Sequence, residues 1–107
     1  MISDIWRGHI ERWADEWCQI IEVYLFGSWA KGDNHSKSDV DIGVILRQKG
    51  RDAEDVWYDH HTEWEEHLQS QLGVDVQLEI ANEEVAPSIV WPAVKEHGIL
   101  LYRRTSK

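Results

Sequence analysis

Three aspartates and a glycine-serine turn are the residues of this 107-residue chain whose types and spacing suit chemistry. Asp39 and Asp41 stand one residue apart in DVDIGVIL, a segment otherwise rich in apolar, β-branched side chains. On an extended strand they share one face, with α-carbons roughly 7 Å apart. Their like charges repel unless a cation lies between or beside them. An oxygen-only donor set of this kind suits a hard ion, Mg²⁺, with Mn²⁺ as a substitute. Asp75, in VDVQLEI, falls on the polar face of a later strand. If the two strands are neighbours, the three carboxylates converge. Two ions about 4 Å apart could then share them, one activating an attacking oxygen and one holding a polyphosphate. Gly27 and Ser28 directly follow an apolar strand. Glycine admits close backbone approach, and the N–H groups that follow can cradle phosphate oxygens together with the Ser28 hydroxyl. Lys31 adds a cation nearby, and Gly32 releases the loop. A DxD pair or a Gly-Ser turn is common on its own. Their conjunction with an aspartate on a later strand has no evident packing benefit.

The elements that must position these residues follow from periodicity. Trp6, Ile10, Trp13 and Trp17 form one helical stripe within Ile2–Trp17. IIEVYLF, Ile20–Phe26, reads as a buried strand. Residues 27–38, GSWAKGDNHSKS, carry turn chemistry with room for a short helix from Ser28. Asp39–Leu46 is a second strand, with Val40, Ile42, Val44 and Leu46 on one face. After the charged connection 47–55, a helix runs to Gln71 on the stripe Trp57, His61, Trp64, Leu68 and Leu72, and Gly73 ends it. Val74–Ile80 alternates, placing Asp75, Gln77 and Glu79 opposite the apolar face. Glu83–His97 reads as a helix interrupted by Pro87 and Pro92, and ILLYRR as a short edge strand or a partner-binding strip. The order implies a single α/β (α+β) domain over residues 1–107, a small mixed sheet covered by helices on one face. The other face would carry Asp39, Asp41, Asp75 and Glu79.

Composition bounds the function. Twenty acidic against eleven Lys and Arg residues give a net charge of -9, which argues against an extended nucleic-acid surface. A metal can still bring such a chain to a polyanion. One cysteine excludes an internal disulfide framework and a thiolate zinc site built from this chain. No apolar run reaches the roughly 20 residues of a membrane span, and no signal-peptide pattern opens the sequence, so a cytoplasmic location is expected.

The motif is similar to that of the DNA polymerase β-like nucleotidyltransferase superfamily, and more narrowly to its minimal nucleotidyltransferase (MNT) proteins. The family pattern of Gly-Ser, ten residues and Asp-x-Asp is matched by Gly27-Ser28, residues 29–38 and Asp39-Val40-Asp41. GSWAKG carries the small residue, basic residue and glycine of the wider pattern. The resemblance implies a polymerase β-like core and transfer of a nucleoside monophosphate with loss of pyrophosphate. Asp39 and Asp41 would bind two Mg²⁺ ions, and Asp75 would supply the third carboxylate and orient the acceptor hydroxyl. Gly27, Ser28 and Lys31 would hold the phosphates. It further implies a HEPN-domain toxin as partner, with AMP moved from ATP to a tyrosine hydroxyl of that toxin, so that the chain acts as an antitoxin. Two alternatives stay open: a catalytically silent module that neutralises its partner by binding, and an enzyme acting on a small molecule.

Other residues read more plainly. The helical tryptophans suit a core or interface, whereas Trp29 either covers a nucleotide or packs its loop. IVWPAV is a candidate subunit-interface strip, leaving homo-oligomerisation open. Cys18 is expected as a small buried hydrophobe. His60, His61, His67, Glu63, Glu65 and Glu66 are expected on a solvated face, and His35 lies in the site loop.

Overall fold

The computed structural model describes residues 4–32, 39–85 and 90–104. The expectations for His35 and Pro87, and for the side chains of Ser28 and Lys31, lie outside the described part. Helix α1 (Asp4–Glu16) leads into β1 (Ile20–Phe26), the one-turn α2 (Gly27–Lys31), β2 (Val40–Leu46), the long α3 (Gly50–Leu72), β3 (Val76–Ile80), α4 (Val90–His97) and β4 (Ile99–Arg103). The four strands form one mixed sheet in the order β3-β2-β1-β4. β1 is antiparallel to β2 and β4, and β2 is parallel to β3 across the α3 crossover. This is the fold class expected from the sequence.

The strand alternation sets the layers. Val23 and Leu25 of β1, Val40, Ile42, Val44 and Leu46 of β2, and Val76, Leu78 and Ile80 of β3 face α1 and α3. Trp13 and Trp64 are fully buried between these layers, and the Trp13 indole N–H donates to the Trp64 carbonyl at 3.0 Å. That bond ties the two covering helices while satisfying an indole that would otherwise be costly to bury. α3 ends where expected: Gly73 adopts a left-handed conformation (φ 73°), and its N–H reaches the Gln69 carbonyl at 2.8 Å. At its start, Lys49 makes no side-chain cap, and the Glu84 carboxylate accepts the Gly50 N–H instead, at 3.1 Å.

Part of the opposite sheet face is also covered. Val90 and Val94 of α4 pack on Phe26 and Ala81, with Tyr24, Ile45, Trp91 and Ala93 around them. Gly43 lets α4 come close, since a Cβ there would lie 3.1 Å from Val94 Cγ2 and 3.3 Å from Ala81 Cβ. The IVWPAV segment therefore spends its two valines within the chain. Pro92 does not interrupt α4. It is the third residue of the helix, in the first turn, where an N–H has no intrahelical acceptor to lose. Residues Glu83–Val85 form a turn rather than helix, so α4 is shorter than its expected span. Cys18 is exposed at the turn after α1, contrary to the expectation of burial, because the helix stops at Glu16 and the helical period no longer sets which way the chain's side chains face.

Asn82 is the buried polar side chain of the described core. Its Oδ1 accepts the Leu46 N–H at 2.8 Å, and its Nδ2 donates to the carbonyls of Leu46 and Gln48, each at 3.1 Å. It extends the β2–β3 ladder past Ala81, whose N–H reaches the Val44 carbonyl at 2.7 Å. Asn82→Ala leaves these backbone groups unsatisfied and should lower stability by about 1–3 kcal/mol, measurable by chemical denaturation.

Candidate active site

Asp41 lies on the sheet face opposite the main core, level with Phe26 of β1 and Gln77 of β3. It is half-buried. Burial raises its carboxyl pKa above the ordinary value, and the charge of Asp39 raises it further. Asp39 lies one residue before β2, which begins at Val40 rather than at Asp39 as expected, and its charge reaches Asp41. Gly27 closes the site from the other side. It follows Phe26 directly with φ +74°, and a Cβ placed on it would collide with the Asp41 carboxylate. Glycine is thus required there both by conformation and by the close approach of the turn to the carboxylate.

Two carboxylates of the 74–80 segment stand near this pair, Asp75 and Glu79. The Asp75 carbonyl accepts the Val40 N–H at 3.0 Å, so its backbone adjoins Asp39. Its side chain, however, is exposed and lines a groove with Glu66, Gln69, Ser70 and Gly73 at the end of α3. Glu79 instead stands level with Gly43, two residues beyond Asp41 on the neighbouring strand. It is half-buried, and its pKa is raised first by desolvation, then by the charges of Asp41 and Glu65, while His61 acts in the opposite direction. Glu79 is the β3 carboxylate that interacts with Asp41. The alternation of VDVQLEI puts both on the polar face, two residues either side of Gln77, and what distinguishes Glu79 from Asp75 is its partial burial and its interaction with Asp41.

Three carboxylates of this kind are a hard-ion donor set. Among the described residues, no three His, Cys, Asp or Glu side chains are close enough to hold an ion as they stand. The fit rests on the donor chemistry: acidic oxygens carry mutual repulsion and a desolvation cost that a divalent cation would offset. Nearby aromatic residues have structural contacts. Trp29 packs against the core beside Trp6, with ring centroids 5.3 Å apart. His60 and His61 stack on Trp64 and Trp57, and His67 meets Trp17 edge-on, so these histidines line the aromatic layer of α3.

Comparison with known proteins gives the family and the fold. Residues 9–107 match the family model described as polymerase beta, nucleotidyltransferase. No curated protein sequence matches the chain significantly. A chain in the crystal structure of a toxin–antitoxin with AMP-PNP superposes with a TM-score of 0.72 at 25% identity, over 92% of this chain and 73% of that one. A chain in a structure of tri-AMPylated Shewanella oneidensis HEPN toxin in complex with MNT antitoxin gives 0.67 at 21% identity, over 96% and 74%. A chain of a MntA–HepT toxin–antitoxin complex gives 0.67 at 21%, over 95% and 74%.

The raised pKa of Asp41 has a defined sign in stability. The folded protein holds the Asp41 proton more tightly than the unfolded chain, so stability falls as pH rises through the window above the ordinary carboxylate value. In metal-free protein, Asp41→Asn removes this penalty. Thermal melts should show the variant more stable than the parent at about pH 8, with the gap shrinking towards about pH 4.

Proposed function

Since the chain belongs to the polymerase β-type nucleotidyltransferase family, we propose that it transfers AMP from ATP to a hydroxyl of a HEPN-domain toxin, with tyrosine as the acceptor residue, and thereby acts as its antitoxin. The observation that carries this reading is the pair Asp41 and Glu79, partly desolvated carboxylates on adjoining strands, with Asp39 beside Asp41 and Gly27 pressed against it. AMP-PNP in one similar structure and AMPylated HEPN toxin in another support the nucleotide, the product and the partner. Their likeness to this chain supports MNT membership within the family.

In this reading Asp39 and Asp41 hold Mg²⁺, and Glu79 takes the role that the sequence alone assigned to Asp75. Bound there, Mg²⁺ would neutralise the charge of the triphosphate and of the transition state. Gly27 contributes backbone approach, and Ser28 and Lys31 hold the outgoing phosphates. The acceptor oxygen forms a bond to the α-phosphorus, the bond to the bridging oxygen breaks, and pyrophosphate leaves. The acceptor proton passes to the carboxylate group centred on Glu79. Catalysis is then positioning and charge compensation rather than covalent chemistry by the chain. None of the described helices is long and apolar enough to cross a membrane. Use of ATP fits a cytoplasmic setting.

Incubation of the chain with a HEPN-domain partner, α-labelled ATP and Mg²⁺ should label the HEPN protein, with adenylyl groups on tyrosine seen by mass spectrometry. Asp39→Asn and Asp41→Asn should each lower the rate by about 10²-fold or more. Tight binding of the partner with no labelling from any nucleoside triphosphate would overturn the transferase reading in favour of neutralisation by contact.

A further inference from the structure

β3 is an edge strand, paired with β2 on one side only. The Asp75 carbonyl and the Ala81 N–H bond β2, so residues 75, 77, 79 and 81 direct their backbone groups inward and residues 76, 78 and 80 direct theirs outward. Outward groups on an edge need a partner or water. Here α3 provides one. The Gln69 side-chain carbonyl accepts the Val76 N–H at 2.9 Å, and the Glu65 carboxylate accepts the Leu78 N–H at 3.0 Å. Four helical residues rise about 6 Å and two strand residues about 6.7 Å, so side chains at positions 69 and 65, running against the strand, match N–H groups two residues apart. Side chains of α3 thus stand in for a fifth strand. The next helix position in this series is His61, whose ring is stacked on Trp57 with centroids 5.2 Å apart. Glu65 therefore makes the side-chain bond nearest to Glu79.

We propose that Glu65, read from sequence as a solubilising charge, is a positioning residue. By holding the Leu78 N–H it fixes the edge of β3 and sets Glu79, the next residue, toward Asp41. This rests on the reading of Glu79 as an ion-facing carboxylate. Glu65 touches neither nucleotide nor acceptor and acts through the backbone. Its carboxylate also adds negative charge beside Glu79, so the two roles of acceptor and charge must be separated by test. Glutamine keeps the acceptor and removes the charge; alanine removes both.

The test compares Glu65→Ala, Glu65→Gln and Gln69→Ala in the full chain. Mn²⁺ affinity is measured by calorimetry, transfer to the HEPN partner gives kcat and KM for ATP, and amide exchange is read at Leu78. Glu65→Ala should weaken Mn²⁺ binding and lower kcat by about 10–100-fold, leave KM for ATP within about 3-fold, and speed exchange at Leu78. Glu65→Gln should stay within about 3-fold of the parent, and Gln69→Ala, one pair further from Glu79, should lose less than Glu65→Ala. Parental Mn²⁺ affinity in Glu65→Ala, equal impairment of Glu65→Gln, or equal losses in Gln69→Ala would overturn the proposal. Absence of transfer by the parent chain would count against the transferase reading alone, because Mn²⁺ affinity and Leu78 exchange decide the role of Glu65 without it.

Discussion

The site depends on one constraint: carboxylates on two neighbouring strands are held half out of water, and the charge of Asp41 disfavours that of Glu79. Asp41 carries most of this. It stands where β1, β2 and β3 lie level, between Phe26 and Gln77, with Gly27 pressed against its carboxylate. Burial and Asp39 raise its pKa, and Asp41 in turn raises that of Glu79. A chain folding only for stability would place apolar residues at such positions, as it does on the other face of β2 with Val40, Ile42 and Val44. The repulsion is a cost borne by the metal-free fold, and a divalent cation is the simplest agent that relieves it.

The remaining architecture keeps that strained group in register. Parallel pairing puts Glu79 level with Gly43, and Asn82 secures the end of the pairing with three hydrogen bonds to the backbone of Leu46 and Gln48. α3 supplies the outer boundary of β3 through Gln69 and Glu65. α4 covers the sheet over Gly43 and Ala81, which leaves the Asp41 end of the same face to the turn at Gly27. The aromatic layer between α1 and α3 anchors the whole from beneath, with Trp13 and Trp64 tied by an indole hydrogen bond. Side chains remote from the carboxylates thus set where the carboxylates lie.

Much of this was legible in the sequence because it rests on local patterns. Alternation marks β1 at Ile20–Phe26 and the apolar face of β2, and the tryptophan stripes mark α1 and α3. Gly73 signals the end of α3 through its left-handed conformation. The Gly27-Ser28 and Asp39-x-Asp41 spacing points to the family. What sequence did not disclose depends on register and on contacts distant along the chain. Asp75 and Glu79 share the polar side of one alternating segment, two residues either side of the position level with Asp41, and only side-chain burial sets them apart. Glu65 resembles its exposed neighbours Glu63 and Glu66 in composition, yet it caps a strand thirteen residues away. Pro92 reads as a helix breaker until the start of α4 is known, and Cys18 follows a helix that ends two residues before it.

The function of the site turns on which carboxylates meet an ion. A crystal structure of the chain with Mn²⁺ and a non-hydrolysable ATP analogue, read by the anomalous signal of the metal, addresses this directly. Manganese is expected about 2.1–2.2 Å from carboxylate oxygens of Asp39 and Asp41, with Glu79 completing the set and Asp75 apart from it. Manganese ligated by Asp75 with Glu79 turned away, or nucleotide bound with no metal at Asp41, would contradict this assignment.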